Sequence, residues 1–259
     1  MKQHIRKTGI VLAAIFVLTI GTVPTRAQGS RPRLPDAMIK TMVQHRLIDK
    51  MVLREDNIEV RVENGIVTLT GTVRNIAEKK RAEKEAQRAD DVSGVRNELR
   101  INTEDRTDRQ IAEDLSSEIR SFVFYDIFDW IEGNIENNVV TLKGSVREPW
   151  RKKDYEMLAE RVLGVKAVEN EIEVLPLSTF DDQLRISIVR RLYGDPRFVR
   201  YANRSLPPIH IIVKHGRITL EGVVANRLER QLAESIVRIG SLAFEVVNHL
   251  RVDKDRKTS

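Results

Sequence analysis

The sequence predicts an α+β protein made of three tandem units, each a three-stranded sheet covered by two helices. Two observations predict this fold. A ten-residue segment occurs three times, and a second shared pattern follows each copy at a constant distance. Around each copy, helical and strand periodicities succeed one another in the same order. Self-similarity of this kind is the sequence signature of a repeat architecture.

The repeated segment covers residues 64–73, 137–146 and 215–224, and reads NGIVTLTGTV, NNVVTLKGSV and HGRITLEGVV. A Val, an Asn and a Leu or Ile follow each closing Gly at 24, 26 and 28 residues. The closing glycines are 73 and 78 residues apart. A unit of that length buries only a modest core, so contacts between units matter. The shared residues are Gly71, Gly144, Gly222, Asn97, Asn170 and Asn248.

Residues 1–27 are typical of a secretory signal peptide. A basic start precedes an apolar run from Ile10 to Ile20, and Thr25 and Ala27 supply small residues before a cleavage site after Ala27. The alternative is an uncleaved anchor, but the apolar run is shorter than the roughly 20 residues of a spanning helix. We therefore expect export with removal of residues 1–27. Residues 28–35 contain Gly, Ser and two prolines, which indicates a linker.

Each unit opens with an amphipathic helix. After Asp36, apolar residues recur at helical spacing, and the same pattern begins at Asp108 and at Asp181. Because it follows Pro35, Asp36 is predicted to be the N-cap of its helix.

A β-hairpin follows this helix. Ile58, Val60 and Val62 alternate with charged residues, as in a half-buried strand. Asn64-Gly65 then fits a type I′ turn, and the equivalent residues of the other copies also tolerate positive φ. The closing Gly is predicted to end the hairpin, at a bulge or where the next helix approaches the backbone. A phosphate-binding loop is disfavoured, because neither GxGxxG nor a Walker lysine is present.

A second helix and a last strand complete each unit. The helices are expected near 76–88, 150–162 and 228–239, and the strands over 95–101, 168–174 and 246–252. Because a helix joins the second and third strands, it can act as a crossover that makes their pairing parallel.

The repeated hairpin, together with Gly164-Val-Lys-Ala-Val-Glu-Asn-Glu-Ile172, resembles the BON domain, named for bacterial osmotically induced and nodulation proteins. The resemblance divides the mature chain into domains 36–104, 105–177 and 178–254, with a tail at 255–259. The third domain is the most divergent, since Leu242 stands where the second has Gly164. The resemblance implies a periplasmic protein that binds phospholipid or membrane surfaces, and no catalysis.

The net charge of +6 falls to +2 without residues 1–27, which does not favour a nucleic-acid partner. The charge is uneven: −5 over 106–178 and +6 over 179–259. The five histidines have no ligand-like spacing, Cys is absent, and no two glycines form a GxxG loop. We therefore expect no catalytic or metal site, no cofactor and no nucleic acid.

Two residue sets are candidates for contact with a membrane. The basic set, in the third unit, has an ordinary solvated helix face as its alternative; Lys and Arg are attracted to anionic lipid. The aromatic set, in the second unit, suits the headgroup region, but packing in the core or between units would also explain it. The basic set is Arg185, Arg190, Arg191, Arg197, Arg200 and Arg204, and the aromatic set is Phe122, Phe124, Tyr125, Phe128 and Trp130.

These features lead to the expectation of a non-enzymatic envelope protein that binds anionic phospholipid in envelope maintenance or osmotic stress. The alternative is a protein–protein interaction scaffold in the cell envelope, with envelope proteins as partners.

The proposed signal peptide is directly testable. We expect intact-mass spectrometry of the exported protein to give a chain that starts at Gln28, because signal peptidase cleaves after small residues at −3 and −1. An exported chain that retains residues 1–27 would support the uncleaved anchor instead.

Overall fold

Each repeat folds as helix, strand, strand, helix and a last strand divided in two, and repeat three has an additional short helix before its first strand. The computed structural model describes residues 32–51, 58–104 and 106–253; the predicted signal peptide, residues 28–31 of the linker and the tail lie outside them. Repeat one contains α1 (Asp36–Met51), β1 (Ile58–Glu63), β2 (Ile66–Val73), α2 (Ile76–Gln87), β3 (Gly94–Asn97) and β4 (Arg100–Ile101). Repeat two contains α3 (Asp108–Ser121), β5 (Trp130–Glu136), β6 (Val139–Val146), α4 (Pro149–Arg161), β7 (Ala167–Asn170) and β8 (Glu173–Val174). Repeat three contains α5 (Thr179–Gly194), α6 (Val199–Ala202), β9 (Ile209–Lys214), β10 (Arg217–Val224), α7 (Arg227–Gly240), β11 (Glu245–Asn248) and β12 (Arg251–Val252).

The three sheets share one topology. In repeat one, β2 pairs antiparallel with β1 along one edge and parallel with β3 and then β4 along the other. The strands of repeats two and three pair in the same way. The α+β class and the parallel crossover are thereby confirmed.

Each repeat has its own core between the sheet and its two long helices. In repeat two, Ile111 and Leu115 of α3 meet Val140 and Leu142 of β6 and Tyr155 of α4. The matching positions of α2 and α7 carry alanines, which are also fully buried. The helical and alternating periods of the sequence therefore identify the apolar residues that are buried on folding. Burial of apolar surface is the main favourable contribution to stability.

An aspartate at the start of the first helix holds the hairpin turn in every repeat. The carboxylate of Asp36 accepts hydrogen bonds from the backbone N–H groups of Asn64 and Gly65, at 2.7 and 2.9 Å. Asp108 binds the amides of the second turn at 2.9 and 2.8 Å, and Asp181 those of the third at 2.9 and 2.8 Å. Both turn residues have positive φ in each copy, which presents two successive amides on one side.

This contact corrects the predicted capping role. Asp36 is the first residue of α1, but its carboxylate reaches the distant turn. In repeats two and three the cap is another residue: Thr107 accepts from the N–H of Gln110, and Ser178 from that of Asp181. The aspartates thus lie inside the first turn, where the helix dipole still favours a negative charge.

The closing glycines also differ from expectation. Gly71, Gly144 and Gly222 lie within the second strand, not at its end, with φ of 120°, 120° and 117°. A Cβ at Gly144 would lie 1.8 Å from the carbonyl oxygen of Trp130. The close approach is therefore to the neighbouring strand of the hairpin, and the following helix plays no part in it.

The repeated asparagine explains why the last strand is divided. The side-chain amide of Asn170 donates to the carbonyl of Lys152 in α4, at 2.8 Å, while its oxygen accepts the N–H of Ile172. Asn97 and Asn248 make the equivalent bonds in their repeats. This side chain turns the backbone locally and ties the strand to the helix, so a continuous strand was the wrong prediction.

We predict that Asp108→Asn destabilises repeat two by about 1–3 kcal/mol, since an amide can accept only one of the two charge-assisted hydrogen bonds. Both tryptophans, Trp130 and Trp150, belong to this repeat, so their fluorescence during urea unfolding reports on it. Glu118→Gln is the control, because Glu118 is exposed on the same helix. Equal stability of the two variants would show that the contact contributes nothing.

Candidate functional site

The six arginines of the basic set do not form one patch. Arg185 is only 2% exposed. Its guanidinium donates to the carbonyl of Val213 and to Asp182, each at 2.6 Å. It ties α5 to β9 and lies too deep to reach a membrane.

Two other arginines of the set are paired with acidic residues. Arg197 contacts Asp195 at 2.7 Å, and its hydrogen bonds lower the pKa of that carboxyl to about 2. Arg200 pairs with Glu229 and lies over the ring of Tyr201. Their charges are therefore largely compensated within repeat three.

Arg190 and Arg191 are the uncompensated arginines of the set on α5. Both are exposed near the end of α5, and neither has an ion-pair partner in the described part of the chain. They line a shallow groove of about 600 Å³ together with Gln183, Ile186 and Ser187. Ile186 is itself 51% exposed. The groove thus combines two free cations, two neutral polar side chains and one apolar side chain.

Arg204 is exposed too, and its guanidinium lies 5.4 Å from the centre of the Tyr201 ring. Of the six predicted positions, three thus offer a charge to a partner: Arg190, Arg191 and Arg204.

The aromatic set joins repeats two and three. Phe122 and Tyr125 pack on the core of repeat two, where each contacts Tyr155 edge-on. Phe128 packs on the core of repeat three. Phe124 is the exception, since it is half exposed and lies edge-on against Trp150 at 5.1 Å.

His210 is the centre of the contact between these repeats. Its ring stacks on Tyr125 with 5.1 Å between centroids, and Trp130 lies at the same distance. Burial lowers the pKa of His210, so the neutral ring is the stable form in this position. Sequence reasoning missed this role because a lone histidine carries no distinctive spacing.

A buried ionic cluster holds the same segment in place. Asp129 is fully buried and accepts hydrogen bonds from Arg151, at 2.6 Å, and from Tyr155, at 3.2 Å. Arg151 also reaches Asp126, at 2.9 Å. The cluster ties the 126–129 segment to α4, and the same burial raises the pKa of Tyr155.

A cleft of about 740 Å³ opens between repeats two and three. One side is formed by α3 and by residues 130–135 of β5, and the other by residues 206–208 with Val223 and Arg251. The described residues contain no helix long and apolar enough to cross a bilayer, and no cluster of three or more metal-ligating side chains.

These features define a class of protein: tandem small α+β repeats, each with its own sheet and core. The family profile of the BON domain matches residues 35–103, 107–176 and 197–254, and the chain belongs to the BON-domain family. The third match begins after α5, although α5 packs on the core of repeat three.

The chain is similar to the osmotically-inducible protein Y of Escherichia coli (strain K12), with 26% identity over 146 residues, 54% of this chain and 73% of that protein. Structures of CdsD, a structural protein of the type III secretion system of Chlamydia trachomatis, also align. The first covers 82% of this chain and 91% of its own at 13% identity, with a TM-score of 0.24. The second, of the C-terminal domain, covers 85% and 100% at 12% identity, with a TM-score of 0.23. Neither structural likeness supports an inference.

Proposed function

We propose that this chain is a non-enzymatic protein of the bacterial envelope, exported to the periplasm, whose third repeat docks weakly on anionic phospholipid. The main support for this proposal is the pair Arg190 and Arg191, which are exposed at one end of α5 and have no ionic partner among the described residues. Membership of the BON-domain family and the similarity to an osmotically-inducible protein support a role in envelope maintenance or osmotic stress.

The composition of the groove suits a lipid headgroup. Two guanidinium groups can each donate two hydrogen bonds to a phosphate, and Ser187 and Gln183 add neutral donors. Ile186 lies beside them and would contact the region below the headgroups. An arginine near an anionic leaflet contributes about 1 kcal/mol, so two arginines give weak docking that salt screens.

An aromatic pair lies at the N-terminal end of α5, at the opposite end of the helix from Arg190 and Arg191. Phe180 lies on the helix face of Ser187 and Arg191, seven and eleven residues along. It contacts Phe244, which is 83% exposed, with 6.2 Å between ring centroids. An exposed aromatic pair on the same helix face as a basic residue suits a surface that rests in the interface of a bilayer.

We predict that Arg190→Gln/Arg191→Gln weakens binding to vesicles of equal parts phosphatidylglycerol and phosphatidylcholine roughly thirtyfold at low salt, since each charge contributes about 1 kcal/mol. The affinity is measured by co-sedimentation of the purified protein with the vesicles. Added salt should also weaken binding of the wild-type protein to these vesicles.

Arg197→Gln/Arg217→Gln is the matched control. It removes the same two charges from repeat three, but both arginines are ion-paired, with Asp195 and Glu245. Its affinity should fall far less. Equal loss in the two double variants, or equal binding of the wild type to pure phosphatidylcholine, would contradict docking through the α5 groove.

A further inference from the structure

β5 and β9, the first strands of repeats two and three, lie at the edges of their sheets. The backbone groups on their outer sides differ in whether they are hydrogen-bonded. Opposite residues in an antiparallel pair alternate between those that bond to the partner strand and those that point both N–H and C=O outward. In β9 the outward residues are identified by their contacts: Ile209, Ile211 and Val213. The carbonyl of Ile209 accepts a hydrogen bond from the Tyr193 hydroxyl, and the carbonyl of Val213 accepts one from Arg185. The N–H of Ile211 donates to the carbonyl of Ile127.

The strand register identifies the equivalent outward residues of β5. Ile211 lies opposite Leu220, and Gly133 lies opposite Leu142, which is the equivalent leucine of the motif. The outward backbone groups of β5 therefore belong to Ile131, Gly133 and Ile135. Within the described part of the chain, no hydrogen bond reaches them. The edge of repeat three is covered, whereas the edge of repeat two is open.

The open edge faces the cleft between the two repeats. Residues 130–135 line it without interruption, and residues 206–208 stand opposite. The volume of about 740 Å³ lies within the usual range for binding clefts. An unpaired strand edge is a template for another extended chain, which supplies the missing partners and completes the sheet.

The charges at the rim indicate what kind of chain would fit. Arg120, Lys143 and Arg251 are exposed there, and Glu132 is the one acidic residue that lines the cleft. Lys143 is partly compensated by Glu171, at 3.4 Å, so Arg120 and Arg251 supply most of the positive charge. Apolar side chains such as Ile119 and Val223 also line the cleft. A segment that alternates apolar and acidic residues would match both, since complementary charge steers and orients association.

We propose that the cleft binds an extended, acidic polypeptide segment, which adds to β5 as a strand beyond its free edge. The hydrogen bond from the Ile211 N–H to Ile127 is the precedent within this chain, because it satisfies the equivalent edge position of repeat three at 2.7 Å. The cleft shares no lining residue with the α5 groove, so the inference does not rest on lipid docking.

The test uses the purified, isotope-labelled protein and a blocked synthetic peptide that alternates valine and glutamate. We expect the peptide to slow hydrogen exchange at the amides of Gly133 and Ile135, which point outward. The amides of Glu132 and Asn134, already bonded to β6, should be unchanged. A peptide N-methylated at alternate residues, which lacks the donors of one edge, should bind at least tenfold more weakly (about 1.4 kcal/mol).

Arg251→Glu should weaken binding of the unmodified peptide several-fold, because it reverses a rim charge. Arg100→Glu is the control: Arg100 is the equivalent residue of repeat one, away from this cleft. Equal affinity for the two peptides, or unchanged exchange at Gly133 and Ile135 with bound peptide, would overturn the inference. Saturable binding of decanoate in the cleft would also overturn it, if the decanoate excludes the peptide and protects neither amide. The cleft would then be a site for amphiphiles.

Discussion

The bond between an aspartate and a hairpin turn is the constraint on which each repeat depends. A type I′ turn places two amides side by side with positive φ, and these donors need an acceptor. In all three copies that acceptor is the carboxylate of Asp36, Asp108 or Asp181. The first helix is thereby fixed to the tip of the hairpin, and the helix face that covers the sheet follows from it.

The scaffold is common to the repeats, whereas the exposed surfaces are not. The turn and the asparagine of the last strand make the same contacts in each copy, and the strand glycine has nearly the same positive φ. Two surface features belong to particular repeats: the arginines without an ion-pair partner among the described residues at the end of α5, and the free edge of β5 that lines a cleft. The proposed functions therefore rest on residues that the motif does not determine.

The features that could be predicted from the sequence are those with a periodic or local cause. The order of elements, the Asn64-Gly65 turn and the parallel crossover follow from periodicity, turn chemistry and chain connectivity. The partner of Asp36 did not, since a carboxylate before a helix suits a cap equally well and nothing local reveals a turn 28 residues away. Burial of Arg185 and the contact of His210 with Tyr125 depend on packing between distant elements, which single-residue patterns do not encode.

The aspartate contact can be observed directly by scalar couplings across its hydrogen bonds in the isotope-labelled protein. We expect couplings from the amide nitrogens of Gly65, Asn138 and Gly216 to the carboxyl carbons of Asp36, Asp108 and Asp181, one pair in each repeat. Couplings to some other acceptor, or amides that exchange with solvent as fast as an open turn, would contradict the claim that this bond organises the fold.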